Sequence, residues 1–155
     1  MVRCAVLTVS DTRTVETDTG GRAVRSLLTA AGHQVVDATI ARDDAAQVRG
    51  LVHAWIGRDD VDVVITTGGT GITSRDTTYE AIDALIEKRL DGFGELFRML
   101  SYAQVGAAAM MSRATAGLAR RHIIIALPGS EAAVRLAMEK LVVPELAHMV
   151  QQAQK

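Results

Sequence analysis

The sequence predicts a three-layer α/β/α fold with a mostly parallel, open sheet. Short apolar runs of β-strand character alternate along the first half of the chain with segments whose apolar residues recur at helical spacing. One of these runs, Val61 to Thr67, is almost continuously apolar, which is typical of a strand covered on both faces. An alternation of strand and helix favours parallel strands in one sheet with helices on both sides.

The first three elements each have a local signal. Cys4 to Val9 and Val35 to Ile40 are apolar runs typical of strands. The apolar stripe of the helix between them consists of Val24, Leu27, Leu28 and Ala31. Gly32 follows this stripe and is expected to end the helix, because glycine tolerates the left-handed conformation common just past a helix end.

The next two helices are predicted with caps at their N-termini. The stripe of the second helix consists of Val48, Leu51, Val52, Trp55 and Ile56. This helix is expected to begin at Asp43 or Asp44 and to end at Gly57. The start is indicated by Asp44-Ala-Ala-Gln47, which has the spacing of a capping box. Thr77-Thr-Tyr-Glu80 has the same spacing and predicts the start of a third helix. That helix is expected to continue through Ala81, Ile82, Leu85 and Ile86.

The second half of the chain has a looser order of predicted elements. Gly92 to Tyr102 is typical of a helix, and Arg113 to Leu118 and His122 to Leu127 are typical of strands. Ser130 to Leu141 predicts a further helix. Pro144 is expected to lie in the first turn of a final helix, a position that proline favours.

Composition limits the classes of function. The 155 residues lack repeats and linkers, and we expect one domain spanning 1–155 with an aliphatic core, since aromatic residues make up only 3%. The net charge of −1 does not favour sequence-independent nucleic-acid binding. Cys4 is the only cysteine, which excludes an intrachain disulfide. There is no apolar run of membrane-spanning length and no signal-peptide pattern, so we expect a cytoplasmic protein without a membrane partner.

The strongest functional signal is the segment Thr66 to Asp76, TTGGTGITSRD, which directly follows a predicted buried strand. Its glycines allow main-chain N–H groups to approach a ligand closely, and its threonines and serine add hydroxyl donors. Arg75 and Asp76 add charges of opposite sign. The segment predicts an anion site with a metal or acid/base partner.

Three further polar loops are expected at the same edge of the sheet. They are Ser10-Asp-Thr12, Ala41-Arg-Asp-Asp44 and Pro128-Gly-Ser130. Ligands of open α/β sheets bind outside the carboxyl ends of the strands, where these loops are expected. Considered alone, the glycine loop is also compatible with a tight turn, and Asp43 and Asp44 with a helix cap. Four such loops at one edge favour a binding cleft.

The whole pattern resembles the MoaB/MogA family of molybdenum-cofactor biosynthesis, whose members carry a molybdopterin-binding α/β domain. The matching segments are Leu7-Thr-Val-Ser-Asp11, Thr66-Thr-Gly-Gly-Thr-Gly71 with Asp76, Gly92-Phe-Gly-Glu-Leu-Phe-Arg98, Ser112-Arg-Ala114 and Leu127-Pro-Gly-Ser130. They extend almost from end to end of the chain. The helix that bears Trp55, followed by Arg58-Asp-Asp-Val61, is closer to the MoaB branch.

The resemblance implies a nucleotidyltransferase. Active members bind molybdopterin and transfer AMP to its terminal phosphate from Mg-ATP, and the product goes on to a molybdenum-insertion enzyme. By match to the family's acidic positions, Asp43 and Asp76 are expected to be catalytic and to bind Mg²⁺, with Asp44 as the alternative to its neighbour. The expected substrate-binding residues are Ser10, Thr12, Thr67, Gly68, Gly69, Thr70, Gly71, Ser112, Arg113, Gly129 and Ser130.

Two other functions remain open from the sequence. One is a protein that binds molybdopterin without catalysis. The segment Ser130-Glu-Ala-Ala133 bears on this choice, because catalytic relatives often have a polar residue and a proline after Leu-Pro-Gly. The other is an unrelated nucleotide-binding domain, which the absence of both G-x-x-x-x-G-K-S/T and G-x-G-x-x-G disfavours.

Self-association is a further hypothesis. Ala103 to Met111 reads AQVGAAAMM and follows Phe93 and Phe97, which lie four residues apart and are expected to pack together. Such a segment is compatible with a buried helix or with an exposed apolar patch that contacts another subunit. The resemblance favours a homotrimer or, as in MoaB-like members, a hexamer. Glu95, between the phenylalanines, is a candidate pocket residue.

Overall fold

A computed structural model describes residues 1–155 of the chain. The strands are β1 (Arg3–Val9), β2 (Gln34–Ala41), β3 (Val63–Thr67), β4 (Lys88–Arg89), β5 (Thr115–Ala119) and β6 (His122–Leu127). The helices are α1 (Thr19–Ala30), α2 (Ala45–Ile56), α3 (Thr78–Asp83), α4 (Asp91–Val105), α5 (Glu131–Ala137) and α6 (Val143–Ala153). A 3-10 turn, Gly106–Met111, follows α4, and a π-helical turn, Met138–Val142, joins α5 to α6.

The six strands form one mixed sheet in the order β2-β1-β3-β6-β5-β4. The first four strands in this order are parallel, whereas β5 runs antiparallel to β6 and β4 antiparallel to β5. The predicted α/β class with a mostly parallel open sheet is confirmed. The parallel strands end at one common edge, and the loops that follow them therefore meet there.

Each face of the sheet is covered by its own hydrophobic core. On one face, helices α1, α4, α5 and α6 pack with residues such as Val24, Phe97 and Leu146. On the other face, α2 and α3 pack with residues such as Trp55 and Ile82. The first three residues of strand β3, Val63, Val64 and Ile65, alternate between the two cores, and the whole strand is buried, which explains why its sequence is almost continuously apolar.

The ends of the first two helices match the sequence signals. Gly32 follows α1 with a φ of +86°, and Gly57 is the residue after α2. The side chain of Asp44 caps α2, accepting hydrogen bonds from Ala46 N (3.0 Å) and Gln47 N (3.3 Å). Asp44 is therefore the cap, and the adjacent Asp43 lies outside the cap interaction.

Four predictions of local structure were wrong. Thr77 precedes α3, but its side chain makes no capping hydrogen bond, and Glu80 forms an ion pair with Arg113 instead of closing a capping box. Helix α3 also ends at Asp83, earlier than its apolar stripe suggests. The helix predicted to continue to Leu141 is α-helical only as far as Ala137 and then widens into the π turn. Moreover, β5 begins at residue 115 rather than 113, because the main chain of Arg113 bonds to the glycine-rich loop.

The structure contains no helix long and apolar enough to cross a lipid bilayer.

Candidate functional site

A cleft of about 610 Å³ opens at the edge where the parallel strands end. Its walls come from the loops after β1, β2, β3 and β6 and from the segment that leads into β5. The predicted site residues that line it are Ser10, Asp43, Thr67, Gly68, Gly69, Thr70, Gly71, Asp76, Ser112, Gly129 and Ser130. The lining residues that were not predicted are Thr8, Val9, Arg13, Asp18, Met111 and Pro128.

The glycine-rich loop after β3 is fixed in a conformation that only glycine adopts easily. Gly68 and Gly69 have φ values of +101° and +74°. A Cβ on Gly68 would lie 2.2 Å from the carbonyl oxygen of Val9, and one on Gly69 would lie 2.1 Å from Oγ1 of Thr78. Gly68 N also donates a 2.9 Å hydrogen bond to Leu127 O. The loop is therefore packed against β1, β6 and α3, and no larger residue fits at either glycine.

Three consecutive N–H groups of this loop, those of Gly69, Thr70 and Gly71, donate no hydrogen bond within the protein. All three residues line the cleft. N–H groups that follow one another in a tight loop form a concave surface that attracts anions. Because the net charge of the chain is only −1, this local donor set, rather than the overall charge, favours an anionic ligand.

Two carboxylates, Asp43 and Asp76, share the cleft with these donors. The Oδ2 of Asp76 accepts hydrogen bonds from the N–H of Thr73 (2.9 Å) and from its hydroxyl (2.8 Å), which orients the carboxylate beside Gly71. No side chain donates to the carboxylate of Asp43, whose Oδ1 would lie 3.1 Å from a Cβ placed on Gly69. Burial raises the pKa of Asp43, and the negative charges of Asp11 and Asp76 raise it further. A bound cation would relieve this repulsion.

The chain has no cluster of three or more His, Cys, Asp or Glu side chains suited to hold a metal ion. Asp43 and Asp76 supply only part of a coordination shell, and Asp18 is occupied as the cap of α1. Mg²⁺ is usually bound in this way, by one or two carboxylates together with phosphate oxygens and water. The residues present therefore fit Mg²⁺ that arrives with a phosphate ligand, and they do not fit a metal bound by protein groups alone.

Asp18 forms part of the cleft wall but was not among the site residues predicted from the sequence. It is 2% exposed and caps α1, accepting a 2.9 Å hydrogen bond from Gly21 N and a 2.7 Å bond from the hydroxyl of Thr8. A Cβ on Gly21 would lie 2.3 Å from both partner side chains. The signal was the run Asp18-Thr-Gly-Gly21 ahead of the first helix stripe, which is an N-cap pattern.

Two predicted site residues, Thr12 and Arg113, do not line the cleft. The side chain of Arg113 donates to the carbonyl oxygens of Gly71 (2.9 Å) and Asp76 (3.0 Å) and forms an ion pair with Glu80. Its guanidinium is thus occupied in bracing the glycine-rich loop from behind. Thr12 is exposed, and its N–H donates to Ser10 Oγ at 3.1 Å within the loop after β1.

A second recess, of about 500 Å³, shares Ser112 with the cleft. It contains Glu95, the candidate pocket residue of α4, together with Arg98 and Tyr79. Phe93 and Phe97 do not line it. Their rings stack with centroids 6.4 Å apart, as the sequence predicted.

The end of α4 and the 3-10 turn after it are exposed rather than buried. Within Ala103 to Met111 only Ala109 is buried, which excludes the buried-helix interpretation. The large exposed apolar side chains of this region, the α4 surface, are Leu96, Met99, Tyr102, Val105, Met110 and Met111. A cluster of this kind is typical of a contact with another protein chain.

Comparisons with known proteins agree with this geometry. The family model described as a probable molybdopterin binding domain matches residues 5–148. The chain is 52% identical over 149 residues to molybdenum cofactor biosynthesis protein B of Bacillus cereus, covering 96% of this chain and 88% of that protein.

Solved structures give the same result. A crystal structure of molybdenum cofactor biosynthesis protein B superposes with a TM-score of 0.95 at 50% identity, covering 99% of this chain and 96% of the other. The tungsten cofactor synthesizing protein MoaB from Pyrococcus furiosus superposes with a TM-score of 0.89 at 36% identity, covering 99% and 98%. The chain therefore belongs to the MoaB/MogA family of molybdenum cofactor biosynthesis proteins.

Proposed function

We propose that the chain is a molybdopterin adenylyltransferase and that residues 1–155 form one molybdopterin-binding domain. It binds molybdopterin and transfers AMP from Mg-ATP to the terminal phosphate, releasing pyrophosphate. The observation that supports this most strongly is the union, in one cleft, of three free N–H groups on the glycine-rich loop with the carboxylates of Asp43 and Asp76. Family membership supports molybdopterin as the ligand.

The chemistry requires positioning and charge neutralisation more than covalent assistance. An oxygen of the molybdopterin phosphate attacks the α-phosphorus of ATP, an O–P bond forms, and the bond from the α-phosphorus to the leaving pyrophosphate breaks. Negative charge spreads over the phosphate oxygens in the transition state, and donors already fixed in place stabilise it. The N–H groups of Gly69, Thr70 and Gly71 are the donors proposed for this task.

Mg²⁺, when bound with ATP, would neutralise charge on the triphosphate. Asp43 and Asp76 would hold it, since carboxylate oxygens are ligands that Mg²⁺ prefers. The carboxylate of Asp76 is already oriented by Thr73. The raised pKa of Asp43, caused first by burial and then by neighbouring carboxylates, fits a side chain whose charge is completed by a cation.

Three serine hydroxyls of the cleft wall complete the proposed phosphate site. Ser10 Oγ accepts from the N–H groups of Thr12 and Arg13, and Ser130 Oγ accepts from Ala133 N at 3.2 Å. Ser112 Oγ lies 3.4 Å from the N–H of Ala114. Each oxygen accepts locally, so the hydroxyl protons of Ser112 and Ser130 remain available to donate to an anion, and that of Ser10 is shared only with a long, 3.5 Å contact to Thr12 Oγ1. Thr67 is different, because its hydroxyl donates to Pro128 O at 2.8 Å and holds the loop after β6.

Molybdopterin binding without catalysis is the alternative. The departure from catalytic relatives at Ser130-Glu-Ala-Ala133 favours it. Only Ser130 of this segment lines the cleft, however, and Glu131 pairs with Arg135 on the surface. Glu131, Ala132 and Ala133 therefore lie outside the proposed site, and the departure at these residues does not count against catalysis.

We also propose that the chain forms a homotrimer or a hexamer through the α4 surface. Self-association would cover a cluster of apolar side chains on α4 and the turn after it. The adenylylated pterin would then pass to a molybdenum-insertion enzyme.

One assay tests the central proposal. Purified protein is incubated with molybdopterin, ATP and Mg²⁺, and adenylylated pterin and pyrophosphate are measured. We expect both products, and we expect Asp76→Asn to lower turnover by about 100-fold or more while pterin binding persists. Asp59→Asn is the matched control, since Asp59 is an exposed carboxylate outside the cleft.

The two possible failures have different meanings. If the wild-type chain binds molybdopterin but forms no product, the enzyme proposal is wrong and the binding function stands. If it binds no molybdopterin at all, both functions are wrong.

A further inference from the structure

We infer that Asp11 and Arg75 form a positioning pair that holds the main chain of Asp43 from both sides and ties it to the glycine-rich loop. The inference deepens the proposed function and rests on it, because Asp43 is one of the two proposed Mg²⁺ ligands. Neither member of the pair lines the cleft. Their proposed action is therefore exerted through Asp43.

Four hydrogen bonds close a ring around Asp43. Its N–H donates to Oδ1 of Asp11 at 3.1 Å, and its carbonyl oxygen accepts from Nη2 of Arg75 at 3.0 Å. Arg75 in turn donates from Nε to Oδ2 of Asp11 at 2.9 Å and from Nη2 to Oδ1 at 3.1 Å. Both main-chain polar groups of Asp43 are thus fixed by one ion pair.

The ring connects three separate loops. Asp11 follows β1, Asp43 follows β2, and Arg75 lies in the loop after β3. These strands are neighbours in the sheet, in the order β2-β1-β3. The pair therefore fixes the loop of an edge strand, β2, to the loop that carries the free N–H groups.

Asp43 depends on this support because no side chain donates a hydrogen bond to its carboxylate, and the hydrogen bond that lowers its pKa comes from the main chain of Asp11. The position of this carboxylate is therefore set by main-chain groups, those of Asp43 itself and of Asp11. Displacement of a reacting or ligating group by about 1 Å is enough to lower catalytic rates by two orders of magnitude. The positions of Asp11 and Arg75 therefore bear directly on the site.

The chemistry of the pair suits positioning better than folding. The side chain of Arg75 is 63% exposed and that of Asp11 28% exposed, and exposed ion pairs contribute little to stability. The planar guanidinium donates two bonds to one carboxylate and a further bond to a carbonyl, a geometry that lysine cannot reproduce. Arg42, with Nε 3.9 Å from Asp11 Oδ1, makes a longer contact and no hydrogen bond.

Two measurements test the inference. Each compares the full wild-type chain with the variants Arg75→Ala and Asp11→Ala and with the double variant. The first is hydrogen exchange at the amide of Asp43, followed by NMR. We expect exchange in each single variant to be about tenfold faster or more, because each change removes part of the ring. Arg58→Ala is the control. It removes an ion pair with Asp37 and Asp60 outside the cleft and should leave exchange at Asp43 unchanged.

The second measurement is the Mg²⁺ concentration that gives half-maximal AMP transfer at saturating ATP. We expect an increase of about tenfold in each single variant, the lower end of the range for residues that orient metal ligands. The double variant should be no worse than the single variants, since the two residues act as one unit. Thermal unfolding, measured in parallel, should differ little between the variants and the wild type.

Each outcome has a defined consequence. Unchanged exchange at Asp43 in both single variants overturns the inference. A lowered melting temperature with an unchanged Mg²⁺ requirement also overturns it, because the pair would then act only on folding. If the wild type transfers no AMP, the proposed function fails, and exchange at Asp43 alone decides for or against the positioning pair.

Discussion

The hydroxyl of Thr8 donates a 2.7 Å hydrogen bond to Oδ2 of Asp18, and both side chains are buried. The other carboxylate oxygen, Oδ1, accepts from Gly21 N at 2.9 Å. The carboxylate therefore joins the end of β1 to the start of α1 in the wall of the cleft. The sheet edge and the first helix are held together at the point where the proposed ligand binds.

Asp18→Ala should lower the free energy of unfolding by about 2–3 kcal/mol. Loss of the α1 cap accounts for about 1 kcal/mol, and the buried hydroxyl of Thr8, left without its acceptor, accounts for the rest. Urea denaturation measures the change. The matched control is Asp44→Ala, which removes the exposed cap of α2 and should cost only about 1 kcal/mol. Equal losses in the two variants would contradict the role assigned to burial.

Gly69→Ala should destabilise the chain and abolish ligand binding. The φ of +74° costs a residue with a Cβ about 1–2 kcal/mol, and that Cβ would lie 2.1 Å from Oγ1 of Thr78. Thermal unfolding and molybdopterin binding measure the two effects.

Gly50→Ala is the matched control, since nothing lies within 4 Å of a Cβ at this position in the interior of α2. It should stabilise the chain by about 0.5–1 kcal/mol. Tight binding by Gly69→Ala would contradict the proposed anion site.

Much of the fold could be predicted from local sequence because local signals determine it. The apolar runs of β1, β2 and β6 and the predicted ends of α2 correspond to the observed elements within one or two residues. The stripe of α1 locates that helix and its end but not its start, which lies at Thr19. The glycine-rich loop was also predictable, since its conformation depends on glycine itself. The failure at Thr77 has the opposite cause. Its capping box required Glu80, and a residue distant in the sequence, Arg113, pairs with that carboxylate instead.

The site was harder to predict where contacts between distant segments determine the role or the direction of a side chain. Asp43 and Asp44 are adjacent and both fit a cap, so their spacing in the sequence could not distinguish them. The structure distinguishes them, because the carboxylate of Asp44 accepts hydrogen bonds from two N–H groups of α2. Arg113 matched a family segment, but its contacts with the loop span about 40 residues of sequence, and these turn its side chain away from the cleft. Family resemblance gave the segment correctly and left the direction of the side chain undetermined.

Cys4 should not react with thiol reagents in the folded chain. Burial raises the pKa of its thiol to about 12, and the charge of Asp62 adds to this effect. The nucleophilic thiolate is therefore absent at neutral pH, and the side chain is inaccessible. Under native conditions, Ellman's reagent should label less than one thiol per chain in the time that a small free thiol needs to react fully. After unfolding in urea, it should label one thiol per chain. Rapid native labelling would show that β1 opens readily.

Asp62→Asn should reduce stability at neutral pH and have little effect in acid. Burial alone would raise the pKa of Asp62, but hydrogen bonds from the side chain (3.2 and 2.9 Å) and the N–H (2.9 Å) of Arg3 lower it overall. A carboxyl with a lowered folded-state pKa stabilises the fold above its unfolded pKa of about 3.9 and loses this contribution as the pH falls through the folded-state pKa.

Urea denaturation of both proteins between pH 7 and pH 2.5 checks this sign. The difference in free energy of unfolding should be about 1–2 kcal/mol at pH 7 and should decrease below about pH 3.9. Since Asp62 lies outside the cleft, ligand binding at pH 7 should be unaffected. A difference that grows toward acid pH would contradict the assigned direction of the pKa shift.

Met99→Glu should dissociate the assembly proposed for the α4 surface. The side chain of Met99 is 61% exposed in the single chain, so a carboxylate there is solvated in the monomer and becomes costly only when another subunit covers it. Sedimentation analysis should give a trimer or hexamer for the wild type and a monomer for the variant. Val15→Glu makes the same change at an apolar residue that is 70% exposed outside this surface, and it should leave the mass unchanged. A wild-type monomer, or a variant that keeps the wild-type mass, would exclude the α4 surface as the subunit contact.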